Sequence, residues 1–175
     1  MAQSEFVYVT FIRTTPEKLW RALIEPEFTR RFWMGTTQES EWTPGAAWRI
    51  LKPDGSTADS GEIVKIEPQK KLVLTWQNHL FPEMIAEGYS RMTYELEEKD
   101  DSVKLTVTHV MEKSGSKLIK AVSNGWPMIL ASLKSLLETG ESLEATRHCQ
   151  RGCKYPMQDP VQGRFHGVQS LRGTR

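Results

Sequence analysis

The residues best suited to chemistry begin with His109, which stands in the alternating run Val103, Leu105, Val107, His109, Met111. A polar ring on an apolar strand face needs a reason to be buried. Either it faces a cavity as a base or polar handle, or a hydroxyl or backbone group satisfies it. No second base or ligand lies near it in sequence, so the satisfied core histidine carries more weight. Trp33, Trp42, Trp48, Trp76 and Trp126 are many indoles for a small domain. They can line a pocket for a flat apolar molecule or simply fill a core; Trp76 and Trp126, at a strand end and near a helix start, are the stronger pocket candidates. His79 and Glu83 form a nominal acid–base pair, with solvated loop residues as the plainer reading. Gly88-Tyr89-Ser90 begins a nucleophile elbow, but Met92 stands where the closing glycine belongs. His148, Cys149, Cys153 and His166 are zinc-type ligands with no surrounding element to hold a tetrahedron, so free thiols are the better reading. We assign no catalytic residue, no metal and no cofactor from the sequence.

The elements that would position these groups are organised around the stretch 116–139. Ile119, Val122, Trp126, Ile129, Leu130, Leu133, Leu136 and Leu137 recur at spacings of three and four, with Lys120, Asn124, Lys134 and Glu138 opposite. This is an amphipathic helix with Gly140 as its C-cap and a kink expected at Pro127. Upstream, residues 5–12 alternate as a strand covered on both sides, and Thr15-Pro16-Glu17 starts a short helix. Pro26 ends that helix, and Phe28 with Phe32 marks a second one. From Gly35 to Met111 six short alternating runs separated by turn residues predict a meandering antiparallel sheet. The segment 78–87 joins two of these strands yet carries Leu80, Phe81, Met84 and Ile85, which suits a lid or contact surface.

With 175 residues and a net charge of +1, the chain suits one globular domain plus an appendage and has no global field for nucleic acid. Its N-terminal apolar run alternates and stops at Arg13, unlike a signal peptide, and no window is long enough for a membrane span. The expectation is a cytoplasmic protein. Residues 144–175 hold six Lys and Arg against Glu144 and Asp159, without an apolar period. We therefore expect a domain at 1–142 and a basic, disordered C-terminal tail at 143–175.

The order of elements, together with Thr15-Pro16-Glu17, Leu19-Trp20-Arg21-Ala22-Leu23, Pro44-Gly45, Gly61 with Pro68, Leu74-Thr75-Trp76 and Gly125-Trp126-Pro127, resembles the homologues of the activator of heat-shock-protein-90 ATPase, within the START-like (SRPBCC) superfamily. The match runs from about Phe6 to Thr139. The resemblance implies an α+β helix-grip fold: a curved seven-stranded antiparallel sheet around the long C-terminal helix, with two short helices after the first strand. It also implies a hydrophobic cavity, and many such proteins are bacterial. Combined with the pattern above, it predicts a ligand site of Trp76, Met92, Tyr94, His109, Trp126 and Leu130, covered by Leu80, Phe81, Met84 and Ile85. The expected function is binding of a small hydrophobic molecule. A protein partner or homodimer, a cyclase- or hydrolase-like enzyme using His109 or His79, and a chaperone cofactor are the competing readings.

Overall fold

The computed structural model describes residues 2–147. Strand β1 (Ser4–Ile12) leads into α1 (Pro16–Ile24), where the Thr15 hydroxyl accepts the Lys18 N–H at 3.3 Å and Pro16 occupies a position with no amide to satisfy. Glu25 interrupts the helix in extended conformation, and Pro26 starts α2 (Pro26–Phe32). The meander follows as β2 (Thr37–Ser40), β3 (Ala47–Leu51), β4 (Thr57–Glu67) and β5 (Lys71–Asn78). A short helix α3 (Pro82–Ile85) precedes the hairpin β6 (Ser90–Lys99) and β7 (Ser102–Met111). The long helix α4 (Lys117–Thr139) and a final turn, α5 (Glu144–Arg147), complete the described chain.

The strands form one seven-stranded antiparallel sheet in the order β1-β7-β6-β5-β4-β3-β2. Their buried alternate residues face α4, which supplies Trp126, Ile129, Leu130 and Leu133 to the same core. This is the expected helix-grip arrangement. Sheet curvature is helped where β4 passes β5: the register shifts between Ile63 and Lys65, and a Cβ at Gly61 would lie 1.8 Å from the Thr75 carbonyl oxygen. Only glycine fits there without moving backbone.

The structure adds three things to the sequence reading. The expected loop 78–87 contains α3, opened by Pro82 at its first turn. Helix α4 runs as one helix through Pro127, its apolar residues packed on either side of the missing amide. Packing also continues beyond Ser142: Thr146 is fully buried, its carbonyl accepts the Met34 N–H at 2.8 Å, and its hydroxyl meets Ser132 Oγ. The short α5 thus packs against the chain just past α2, through Met34, and against α4, through Ser132. The remainder of the expected tail, with His148, Cys149, Cys153 and His166, lies outside the described residues.

Candidate functional site

Strand register decides which side chains share the inner face of the sheet. His109 on β7 lies opposite Met92 on β6, which lies opposite Leu74 on β5, and Trp76 lies opposite Ser90. Helix α4 lowers Trp126 and Leu130 onto this surface, and the end of α2 contributes Trp33. All six residues expected at the site, Trp76, Met92, Tyr94, His109, Trp126 and Leu130, are buried in one core cluster.

The rings form a continuous aromatic body. Trp76 is at its centre, with ring centroids 4.8 Å from Trp48, 5.4 Å from His109, 5.7 Å from Trp126 and 6.1 Å from Trp33. Trp126 meets Trp33 edge-on at 5.3 Å and Tyr94 at 5.9 Å. These are the offset and T-shaped contacts that ring quadrupoles favour. Trp33 and Trp48, which the sequence offered among several indoles without ranking them as pocket residues, join the cluster from the end of α2 and from β3.

Polar atoms inside this body fall into two groups. The first group is fully engaged. Trp126 Nε1–H donates to His109 Nδ1 at 3.4 Å, so the imidazole proton resides on Nε2 and is given to Ser90 Oγ at 2.7 Å. Ser90 passes its own hydroxyl proton to the Trp76 carbonyl at 2.9 Å. Burial pushes the His109 pKa down to about 3. His109 is thus a neutral core histidine with both nitrogens in use, and no lone pair is open for a base's work. Trp48 Nε1–H donates to Gln38 Oε1 at 2.9 Å, and Gln38 donates to the Leu23 carbonyl at 2.8 Å. Trp76 Nε1–H and Asn78 Nδ2 both donate to Asp59 Oδ1, at 2.9 and 2.8 Å. Asp59, Gln38 and Ser90 were not anticipated as site residues. Only Ser90 had a signal, its alternation with Met92 and Tyr94.

The second group is not engaged. The Trp33 indole N–H is buried and has no hydrogen-bond partner among the described residues. Separately, the Tyr94 phenol is buried, and desolvation raises its pKa. A buried donor without an acceptor costs roughly 1–3 kcal/mol, so such groups are uncommon in a finished core.

The expected lid lies against this cluster. Met84 is fully buried, Leu80 and Phe81 are partly buried against the core, and Ile85 faces solvent. Asn78 Oδ1 accepts the Leu80 N–H at 2.9 Å, which ties the start of the lid to Asp59. Its far end is tied to α4, because the Glu87 carboxylate accepts from Ser116 Oγ at 2.6 Å and from the Lys117 and Leu118 amides at 2.8 and 3.3 Å. His79 does not pair with Glu83: its Nε2 is 2.6 Å from Ser60 Oγ on the sheet surface. Among the described residues, no helix is long and apolar enough to cross a membrane.

Comparison with known proteins follows the same outline. The family of activator of Hsp90 ATPase homolog 1-like proteins matches residues 13–138, more than half of the chain. No curated protein matches the sequence significantly. Among solved structures, a Mesorhizobium loti protein is 25% identical, with a TM-score of 0.65 over 77% of this chain and 96% of that one. The Aha1 dimer from Colwellia psychrerythraea is 17% identical, with a TM-score of 0.64 over 79% of this chain and 99% of that one. CalU16 from Micromonospora echinospora is 19% identical, with a TM-score of 0.63 over 81% of this chain and 78% of that one.

Proposed function

This chain belongs to the family of activator of Hsp90 ATPase homolog 1-like proteins, and we propose that it binds a small, flat hydrophobic molecule between α4 and the sheet. The observation that carries this reading is the unpartnered Trp33 N–H inside a body of four indoles. A guest that places an acceptor atom there gains a hydrogen bond that the empty protein cannot make. Its flat apolar frame would rest on Trp76, Met92, Trp126 and Leu130, with Tyr94 as a second polar handle and His109 as part of the wall. Leu80, Phe81 and Met84 yield to admit it, Ile85 remaining on the outside. The setting we propose is the cytoplasm.

The START-like fold of the family supports a ligand-binding role. The neutral, doubly bonded state of His109 supports binding over acid–base catalysis. Lipids, flavonoids and polyketides presented as a panel should quench tryptophan emission saturably. Trp126→Leu should change the affinity of a hit more than Lys120→Ala on the exposed face of α4. A panel without a single saturable binder contradicts the proposal.

One observation favours a second, compatible reading, in which the domain also associates with another copy of itself. Val7, Val9 and Phe11 are exposed along a strand at the edge of the sheet. The Colwellia relative was solved as a dimer.

A further inference from the structure

Resting on the small-molecule binding reading above, we infer that the guest is uncharged and meets the Trp33 N–H with a neutral acceptor, as a ketone, quinone, ester or lactone does. Carboxylate, phosphate and sulfate compounds are excluded. The reason lies first in the charges that the core can supply. Among the described residues, the buried polar side chains are those of Ser, Thr, Asn, Gln, His109 and Asp59, with neither Lys nor Arg among them. His109 cannot stand in as a cation, because burial pushes its pKa down to about 3 and both its nitrogens are bonded. The Tyr94 phenol is neutral as well, since burial raises its pKa. Asp59 brings an acidic group to the same body, its Oδ1 accepting from Trp76 Nε1 and Asn78 Nδ2. An anion at Trp33 would thus be buried with no countercharge, and a hydrogen bond from a neutral indole does not offset its lost hydration. A carbonyl oxygen loses far less on leaving water, so for it the same bond is a net gain.

The lid over this body selects in the same direction. Its start is tied through Asn78 to Asp59, and its end is the Glu87 carboxylate, so an acidic side chain holds each end. The start of α4 has the backbone donors and helix dipole that ordinarily attract an anion. The protein fills that position itself. Glu87 accepts from Ser116 Oγ and from the Lys117 and Leu118 amides, and Ser116 Oγ accepts from the Ile119 amide. Lys113, 4.0 Å from the Glu87 carboxylate with its side chain 57% exposed, has its charge already paired and screened. What the guest displaces is uncharged too. Met84 is fully buried, and Leu80 and Phe81 are partly buried against the core. A molecule that takes over their contacts presents apolar surface to the indoles and needs one acceptor, at Trp33.

NMR titration of the full chain, followed at the indole N–H resonances, tests this with three compounds of one shape: 2-acetylnaphthalene, 2-isopropylnaphthalene and 2-naphthoate. At neutral pH the ketone should bind tightest. The isopropyl compound, which lacks the acceptor, should bind roughly fivefold more weakly, the worth of one hydrogen bond. The naphthoate should bind roughly a hundredfold more weakly or worse, and should gain about tenfold for each unit the pH is lowered toward the acid's own pKa, because only its protonated form enters. Trp33→Phe should bring the ketone down to the affinity of the hydrocarbon. Should that variant fail to fold, the wild-type Trp33 resonance decides, moving downfield with the ketone and not with the hydrocarbon. A naphthoate that binds as tightly as the ketone at neutral pH overturns the uncharged guest and leaves the binding reading standing. Equal affinities for ketone and hydrocarbon overturn the acceptor at Trp33 and leave an apolar site. A protein that takes up none of the three contradicts the binding reading as well.

Discussion

His109 carries no charge in the folded protein at any pH above about 3. Its two nitrogens are occupied by Trp126 and Ser90, so protonation would have to displace the indole donor as well as bring a charge into the core. The unfolded chain titrates its histidines near pH 6.5. Between that value and about 3 the unfolded state binds a proton that the folded state refuses, so stability is complete above 6.5 and is lost as pH falls toward 3. The loss is on the order of 4 kcal/mol at its lower end, an upper figure. His109→Asn should lower stability at pH 7.5 yet flatten its decline between pH 6.5 and 4, measured by urea denaturation across that range. Parallel declines for the two proteins would mean that His109 is solvated. The sequence signalled a buried histidine satisfied by a hydroxyl or a backbone group, since it interrupts an otherwise apolar face. The identity of that hydroxyl was beyond reach, because Ser90 lies on another strand and meets His109 only through β6–β7 register.

At the scale of elements, α4 depends on caps supplied from two directions. Ser116 caps locally, accepting the Ile119 N–H at 3.1 Å, while Glu87 arrives from the lid to bind the next amides. Burial pushes the Glu87 carboxyl up, but Ser116, the Lys117 and Leu118 amides and Lys113 together hold it below the usual carboxylate range. Gly140 ends the helix with φ of 83°, in the left-handed region, its N–H bonded to the Leu136 carbonyl at 2.9 Å. Helix phase was legible, because residues three and four apart must share a face. The Glu87 cap was not, because no local pattern couples a loop to a helix start 29 residues on. Leu133→Ala should cost roughly 2–5 kcal/mol by emptying a fully buried position. Lys134→Ala loses only surface bonds to Phe11 and Glu138 and should cost about 1 kcal/mol or less. Equal shifts in denaturation midpoint would contradict the assigned face.

For the whole molecule, the outline was readable because each part obeys its own period: two for the strands, 3.6 for α4, with turn residues between. Convergence was harder to read. The aromatic body draws on a helix end, four of the sheet's strands and α4, and Asp59 enters it through tertiary packing that no local pattern announces. The same holds for α5, where four residues in a basic segment dock because Thr146 fits Ser132 and Met34. The central claim is that a bound guest places an acceptor atom at the unpartnered Trp33 N–H. The direct measurement is the set of indole proton–nitrogen NMR resonances, assigned by single substitution, during titration with any compound that quenches the tryptophan emission. The account predicts that the Trp33 resonance moves furthest downfield as its N–H gains a partner, while Trp48, already bonded to Gln38, moves least. A binder that leaves Trp33 in place and perturbs only surface resonances would contradict it.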